Sequence, residues 1–366
     1  MPTLRCGLFG SLALRASVWL VCASRKRLVL WFLVGLVVGG VCAERKRASV
    51  GSKSNPCTMA GWSQARLCFE AHINDDFLCA HWLIKLSLAR PMVRCDLHDQ
   101  DRTLVRRMRS KGDWPTLFWR CTKCRDQISF RQGSIFQDSK MSLGKCLMVT
   151  MCFAQGLNIE DARRALRWTP DTVETAVTTI VRWYDRLRAT IQSHVNSQCM
   201  IGAPGMIVQI DEALIGRRKY HRGRNVTQTW VLGMIAEDGD VRFEVVPNRK
   251  AKTLEAVIVR HVARGSIIHT DEWRAYSQLP KYGYEHETVN HSERFVSPTG
   301  VHTQRIESQW RAVRRKFSPG GIHHEDIQTY LAEYVWRRGC RLMRKDCFSS
   351  LLSLIRVAHE KNRIKF

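Results

Sequence analysis

Two short words in this sequence each close an apolar run on an acidic pair: 207-IVQIDE-212 and 267-IIHTDE-272. A run rich in isoleucine reads as a buried strand, and a carboxylate at the end of a core strand is costly unless something positive meets it. Either a basic side chain or a metal ion must do so. Ligand groups in α/β sheets tend to sit where strands end, so neighbouring strands would bring Asp211 and Asp271 together. Side by side, the two carboxylates raise each other's pKa. A divalent cation removes that penalty, and hard oxygen donors suit Mg2+ or Mn2+. The candidate third ligand is Glu307 in 302-HTQRIESQWRAVRRK-316, where Ile306, Trp310 and Val313 recur at i, i+4 and i+7 and define the buried face of a helix. Asn290 and His302 lie near Glu307 in sequence and are accessory candidates. Taken singly, each acid has another reading: Asp caps strand ends and helix N-termini, and Glu307 has Arg311 one turn on.

A second constellation sets 95-CDLH-98 against 121-CTKC-124. Two pairs with a two-residue gap, separated by 22 residues, offer Cys95, His98, Cys121 and Cys124 as a tetrahedral site for one structural Zn2+ ion. The other reading is a set of buried free thiols.

The elements that must position these residues follow from periodicity. Residues 77–89 have helical spacing, and short β-like pieces at 116–121 and 127–136 surround the cysteine pairs. From Leu143 to about Val195 the pattern is helical, with a Thr-Pro-Asp start signal at 169–171 and a longer helix over 172–191. This is either a helix-turn-helix or a plain helical hairpin. Three strands follow at 206–214, 229–236 and 241–247, then a helix at 252–262 and a fourth strand at 266–270. That order is α/β with antiparallel hairpins at one edge. A helix is expected after Asp271, running through Trp273 and Tyr276, with Glu272 in its first turn.

The charge balance narrows the class of partner. Against 33 Asp and Glu stand 58 Lys and Arg, a net +25 that points to a polyanion, nucleic acid before an acidic membrane surface. The 14 cysteines are scattered without the dense spacing of a secreted disulfide scaffold, so most read as reduced thiols. Near the N-terminus, 28-LVLWFLVGLVVGGVCA-43 carries no charge and lies between 24-SRKR-27 and 44-ERKR-47. It is either a signal peptide or membrane anchor, or an extension outside the working protein.

With these residues in place, the segment from about Met206 to Arg338 resembles the DDE transposase domain of Merlin-type transposons and their bacterial insertion-sequence relatives. The resemblance rests on 208-VQIDEALIGRRKYHRGR-224, 230-WVLGMI-235, 245-VVPNRKAKTL-254, 266-SIIHTDEWRAY-276, 287-ETVNHSERFVSPTGVHTQRIESQWRAVRRK-316 and 330-YLAEYVWRR-338. It implies a ribonuclease-H-like mixed sheet with flanking helices, preceded by a small zinc ribbon and a helix-turn-helix-like region. It also implies that Asp211, Asp271 and Glu307 are the catalytic acids, with 35 residues between the last two, and that Arg314 is the basic residue beyond the Glu. The family's ribbon usually has four cysteines, and here His98 replaces one.

Such a domain would use two Mg2+ or Mn2+ ions for in-line phosphoryl transfer. Its basic residues, Arg217, Arg218, Lys219, Arg222 and Arg224 on one side and Arg311, Arg314, Arg315 and Lys316 on the other, would grip phosphates. Asn290 and His302 would position DNA or a water. The expected division of the chain is an extension and linker (1–56), a helix with the ribbon (57–140), a helical DNA-binding region (141–200), the catalytic domain (201–345) and a basic C-terminal helix or tail (346–366). The resemblance further implies transposon ends and target DNA as partners, a homo-oligomer on paired ends, no small-molecule substrate, and a nuclear location if the host is a eukaryote. The competing expectation is a domesticated DNA-binding protein that keeps the fold without cutting.

Overall fold

The computed structural model describes residues 75–107, 116–167, 174–215, 228–289, 302–316 and 324–360, all within one compact unit that spans 56–366. The apolar segment 28–43, the Thr-Pro-Asp break, Asn290 and the basic residues Arg217, Arg218, Lys219, Arg222 and Arg224 lie outside the described residues. Among the described residues, no helix is long and apolar enough to cross a membrane.

Helix α1 (Asp76–Lys85) opens the described chain, capped by the Asp75 carboxylate, which accepts from the Phe77 N–H at 2.6 Å. It stops short of the expected Ala89. Ser87 adopts φ 58°, and the turn it makes tucks Leu88 and Ala89 into the core. Five short strands follow. β1 (Arg94–Cys95) and β2 (Gln100–Asp101) form a small antiparallel pair, while β3 (Thr103–Arg107), β4 (Thr116–Arg120) and β5 (Gln127–Ser129) form a three-stranded antiparallel sheet. The β-like run 127–136 is strand only to Ser129. Beyond it the chain turns at Gly133, and Ile135 and Phe136 pack inward, the latter ring 6.2 Å from Trp183.

Helix α2 (Leu143–Gln155) is buried along nearly its whole length, the pattern of a helix apolar all round and surrounded by protein. Its N-terminus is satisfied twice, by the Ser142 hydroxyl, which accepts from the Lys145 N–H, and by Asp76, which accepts from the Leu143 N–H at 3.0 Å. Gly156, at φ 78°, closes it in the left-handed conformation that glycine adopts without cost. After α3 (Ile159–Leu166), the long helix α4 spans Val177–Asn196 and begins later than the sequence pattern suggests. Glu174 instead forms ion pairs across the corner with Arg163 and Arg167, at 3.0 and 3.1 Å.

The second half is a five-stranded mixed sheet. β6 (Ile207–Ile215), β7 (Thr229–Ala236) and β8 (Val241–Val246) run as an antiparallel meander, α5 (Ala251–His261) crosses over, and β9 (Ile267–Asp271) and β10 (Glu285–Val289) lie parallel to β6. The spatial order is β10-β9-β6-β7-β8, so β6 is central. The four strands and the crossover helix read from the sequence are present to within about a residue at each end. β10 was not legible: 285-EHETV-289 is mostly polar because it is an exposed edge.

Two other expectations change. Asp211 sits midway along β6, not at its end, because pairing with β7 continues to Ile215. In place of the helix expected after Asp271 stand two short 3-10 turns, Arg274–Tyr276 and Leu279–Tyr282, with Glu272 exposed before them, since Tyr276 and Leu279 are drawn into the core as the chain turns.

Helix α6 (Gln304–Lys316) covers one face of the sheet, with Ile306, Trp310 and Val313 buried as the spacing predicts. Helix α7 (Ile327–Leu342) packs on β8 and on α4, and α8 (Cys347–Glu360) returns against α2 and α4. A buried charge cluster joins α4 to α7. Glu333 accepts from Arg188 Nε at 2.9 Å and from Arg337 Nε at 2.6 Å, and Arg337 also donates to the Ala154 carbonyl at the end of α2. Burial raises the Glu333 pKa, but the charges of Arg337 and Arg188 prevail and hold it below the usual carboxylate value.

Removing one partner of such a pair strands the others, so Glu333→Gln is expected to cost about 3 kcal/mol in a urea melt at neutral pH. Because the folded pKa is depressed, the wild-type advantage is present above the unfolded Glu pKa. It should fade as pH falls through the lower folded value, bringing the two melts together.

Candidate active site and metal centre

Side chains alternate between the faces of a sheet, and residues paired in parallel register share a face. In β6 the odd-numbered residues Gln209 and Asp211 bond α6 and Ala213 and Ile215 join the core cluster on that side, while Val208, Ile210 and Glu212 point to the α5 side. Gln209 pairs with His269 and marks the last register step between β6 and β9; beyond it the two strands part. Two residues further along each strand stand Asp211 and Asp271. The common register places both on the α6 face, one on each side of the split, the position where open α/β sheets receive ligands. Glu307 lies on the first turn of α6, half-buried, on the helix that covers this face.

Each acid is held. Trp310 Nε1 donates to Asp211 Oδ2 at 2.9 Å, and the Glu212 N–H donates to Asp211 Oδ1 at 2.8 Å. Asp271 Oδ1 accepts from the Trp273 N–H at 3.2 Å, and Glu307 Oε1 from the Thr303 hydroxyl at 3.0 Å. Burial pushes the Asp211 pKa up to about 6. The Trp310 hydrogen bond opposes that rise, and the negative charges of Glu212 and Asp271 add to it. A half-buried carboxylate raised by desolvation and by its neighbours' charge suits a divalent cation, so the chemistry of the donor set fits hard metal ions. The three acids are not gathered as closely as a bound ion would hold them.

Two residues the spacing did not bring forward organise this face. Gln209 Oε1 accepts from the N–H groups of Arg305 and Ile306 at 3.0 and 3.3 Å, tying the start of α6 to the central strand. Its amide nitrogen lies 3.0 Å from His302 Nδ1, so the accessory candidate His302 is present at the site. His269 pairs with Glu287 of β10 at 3.2 Å. Both residues stand two positions before an acid, and strand alternation was the signal that puts them on the acids' face. Arg311, Arg314 and Arg315 are exposed along α6, and Lys316 closes it. Glu212 goes to the opposite face, where it accepts from the Tyr276 hydroxyl at 2.6 Å and pairs with Arg249 at 3.1 Å.

The group of metal-type donors that does converge among the described residues is Cys95, His98, Cys121 and Cys124, with all four ligand atoms within 4.8 Å of one another. Cys95 Sγ is 3.6 Å from Cys124 Sγ and 3.7 Å from His98 Nδ1, and Cys121 Sγ is 3.8 Å from that same nitrogen. Those edges match a tetrahedron around an ion with a Zn–S bond of about 2.3 Å. Each pair sits in a tight turn. The Asp99 N–H donates to the Cys95 carbonyl and the Arg125 N–H to that of Cys121, with Asp99 and Arg125 both at positive φ. Buried Arg102 ties the two turns together by bonding the Arg94 carbonyl and Asp126. At Cys121, burial favours the thiol, but the N–H groups of Cys124 and Lys123 favour the thiolate and pull its pKa down to about 6. The set fits zinc.

Comparison with known proteins now supplies the class. A family model for the ISXO2-like transposase domain matches residues 203–339, the segment that holds the sheet, α6 and most of α7. An uncharacterized transposase-like protein of Haemophilus influenzae is 33% identical over 94 residues, which cover 76% of that protein and 25% of this chain. The chain therefore belongs to the insertion-sequence-like DDE transposase family.

The Male abnormal protein mab-31 of Caenorhabditis elegans is 24% identical over 261 residues, 66% of this chain. The chain spans 59% of that relative's length. Among solved structures, the pre-cleavage Mos1 transpososome is 11% identical over 61% of the chain at a TM-score of 0.25, too low for the likeness to bear on the fold.

Trp310 reaches Asp211 only because the residue opposite it on β7 is Gly233. A Cβ there would lie 2.6 Å from Trp310 Cζ2 and 2.9 Å from Phe243 Cε1. Gly233→Ala is therefore expected to push the indole outward, break its bond to Asp211 and destabilise the chain by about 1–3 kcal/mol, measured as a lowered urea midpoint.

Proposed function

We propose that the chain is a metal-dependent DNA transposase that cleaves transposon ends and joins them to target DNA. The observation that carries this reading is the shared register of β6 and β9, which sets Asp211 and Asp271 on one face beneath the helix that bears Glu307. The strand order, with an antiparallel meander followed by two parallel strands, supports reading the sheet as ribonuclease-H-like. Asp211, Asp271 and Glu307 would hold two Mg2+ or Mn2+ ions, which when bound would supply the positive charge that an in-line phosphoryl transfer needs.

The residues around them do the rest. Trp310 and Gln209 orient the acids' face, and Arg311, Arg314 and Arg315 give the outer side of α6 a positive stripe for the phosphate backbone. DNA is the partner implied by that stripe and by the net +25. Assembly as a homo-oligomer would pair two transposon ends.

Cys95, His98, Cys121 and Cys124 would form a zinc ribbon that stiffens β1 to β5 as a DNA-reading element ahead of the catalytic unit. The purified chain is expected to carry about one zinc, and Cys121→Ser to lose it in a metal assay. A chain without zinc, or a variant that retains it, would remove this part of the proposal.

A second reading is a domesticated DNA-binding protein that no longer cuts. It is favoured by the ties that Trp310 and Thr303 place on two of the acids. DNA that carries candidate element ends separates the two readings. With Mn2+ the wild type is expected to nick and join, and Asp271→Asn to lose activity by at least a hundredfold (~3 kcal/mol in the barrier) while binding DNA as before. Normal binding without metal-dependent nicking by the wild type would decide for the second reading.

A further inference from the structure

At the end of β9, on the α5 side of the sheet, three side chains are stacked in a way that neither the acids nor the core requires. Trp273 follows Asp271 by two residues and donates its backbone N–H to that carboxylate, yet the residue is 44% exposed, unusual for a tryptophan. The Arg249 guanidinium lies 4.4 Å from the centroid of the Trp273 ring and 4.7 Å from that of Trp230, so the cation rests against both indoles.

Arg249 is fixed from below. It pairs at 3.1 Å with Glu212, whose side chain is 1% exposed and whose other oxygen accepts from the buried Tyr276 hydroxyl at 2.6 Å. Its Nε is buried with no hydrogen-bond partner. A cation held against two rings and a buried carboxylate is a rigid base, and the layer it supports is an aromatic ring open to solvent beside the candidate catalytic face.

We propose that Trp273 is a stacking platform for an unpaired nucleobase of the DNA strand whose backbone lies at Asp271. The inference rests on the transposase reading and adds a contact that this reading does not require. Any base offers a flat π face, so stacking on an exposed indole is sequence-tolerant, and it needs a base released from its own stack. The stack and the acids occupy opposite faces of the sheet and meet at the end of β9. A backbone held at Asp271 can thus turn one base away from its helix onto Trp273. Arg249 contributes by fixing the ring plane and by placing positive charge beneath it, which complements an electron-rich base and the adjacent phosphate.

The test reads binding without requiring cleavage. The probes are a blunt DNA duplex and the same duplex with a short unpaired overhang that carries 2-aminopurine, each titrated with the full chain in Ca2+. The wild type is expected to bind the overhang duplex roughly tenfold more tightly than the blunt one and to quench the 2-aminopurine fluorescence. Trp273→Ala should lose both effects, Trp273→Phe should keep most of each, and both variants should unfold cooperatively and bind blunt duplex like the wild type.

Equal wild-type affinity for the two duplexes, or an overhang preference that survives in Trp273→Ala, would overturn the proposal. The outcomes also separate the two claims. An intact overhang preference without metal-dependent nicking would remove the enzyme reading and leave the platform standing. Nicking without an overhang preference would do the reverse.

Discussion

A half-buried carboxylate midway along the central strand of the sheet is the interaction on which the rest of this structure depends. Asp211 has β7 on one side, the split between β6 and β9 on the other and α6 above it. A charge in that position is costly unless it is hydrogen-bonded or met by a cation. The protein answers with the Trp310 indole and the Glu212 backbone N–H, and both answers constrain their surroundings. The indole fits because Gly233 has no side chain, and its ring is steadied by Phe243 at 5.0 Å. Gln209, two residues earlier on the same face, completes the attachment by accepting from the first N–H groups of α6. The helix that carries Glu307 is thereby located by polar bonds to the strand that carries Asp211, not by apolar packing alone.

The acidic pair of the first word is divided by the pleat of the strand. Asp211 enters the candidate catalytic face, and Glu212 enters the opposite one, where it anchors Arg249 and Tyr276. In the second word the strand ends at the acid, so Asp271 stays on the face while Glu272 passes into solvent. Similar words therefore have different outcomes, and the difference is where pairing stops. The same logic links the two halves of the molecule. Glu333 on α7 is shared between Arg188 of α4 and Arg337, which also bonds the end of α2, so α7, which packs on β8, is tied to the helical half by a buried ion cluster as well as a common apolar core.

Much of the site was legible in the sequence because metal and acid chemistry need particular residue types at particular spacings. The two cysteine-containing pairs announce a tetrahedral set, and the structure brings Cys95, His98, Cys121 and Cys124 together. The apolar runs before Asp211 and Asp271 announce strands, and the i, i+4, i+7 series around Glu307 announces its helix. Gln209 and His269 were less visible because a polar residue inside an apolar run has meaning only once a neighbouring strand shows which face it occupies. The edge strand β10, polar for its exposure, left no apolar signal. The two 3-10 turns after Asp271 replaced the expected helix because Tyr276 and Leu279 found burial sooner than a regular helix would have provided it.

Four strands of the large sheet, the helix that bears the third candidate acid, the four metal-type donors, and the family words that make this a member of the insertion-sequence-like transposases were all determined by the sequence alone. These are local properties: periodicity, residue type and short spacing are present in the chain before it folds. Only the tertiary structure decided that Asp211 lies within a strand and faces α6, that Glu212 faces away from it, and that Trp273 stands open on a stacked Arg249. Those outcomes depend on register between strands far apart in the chain, and a shift of one residue would send every side chain on a strand to the other face.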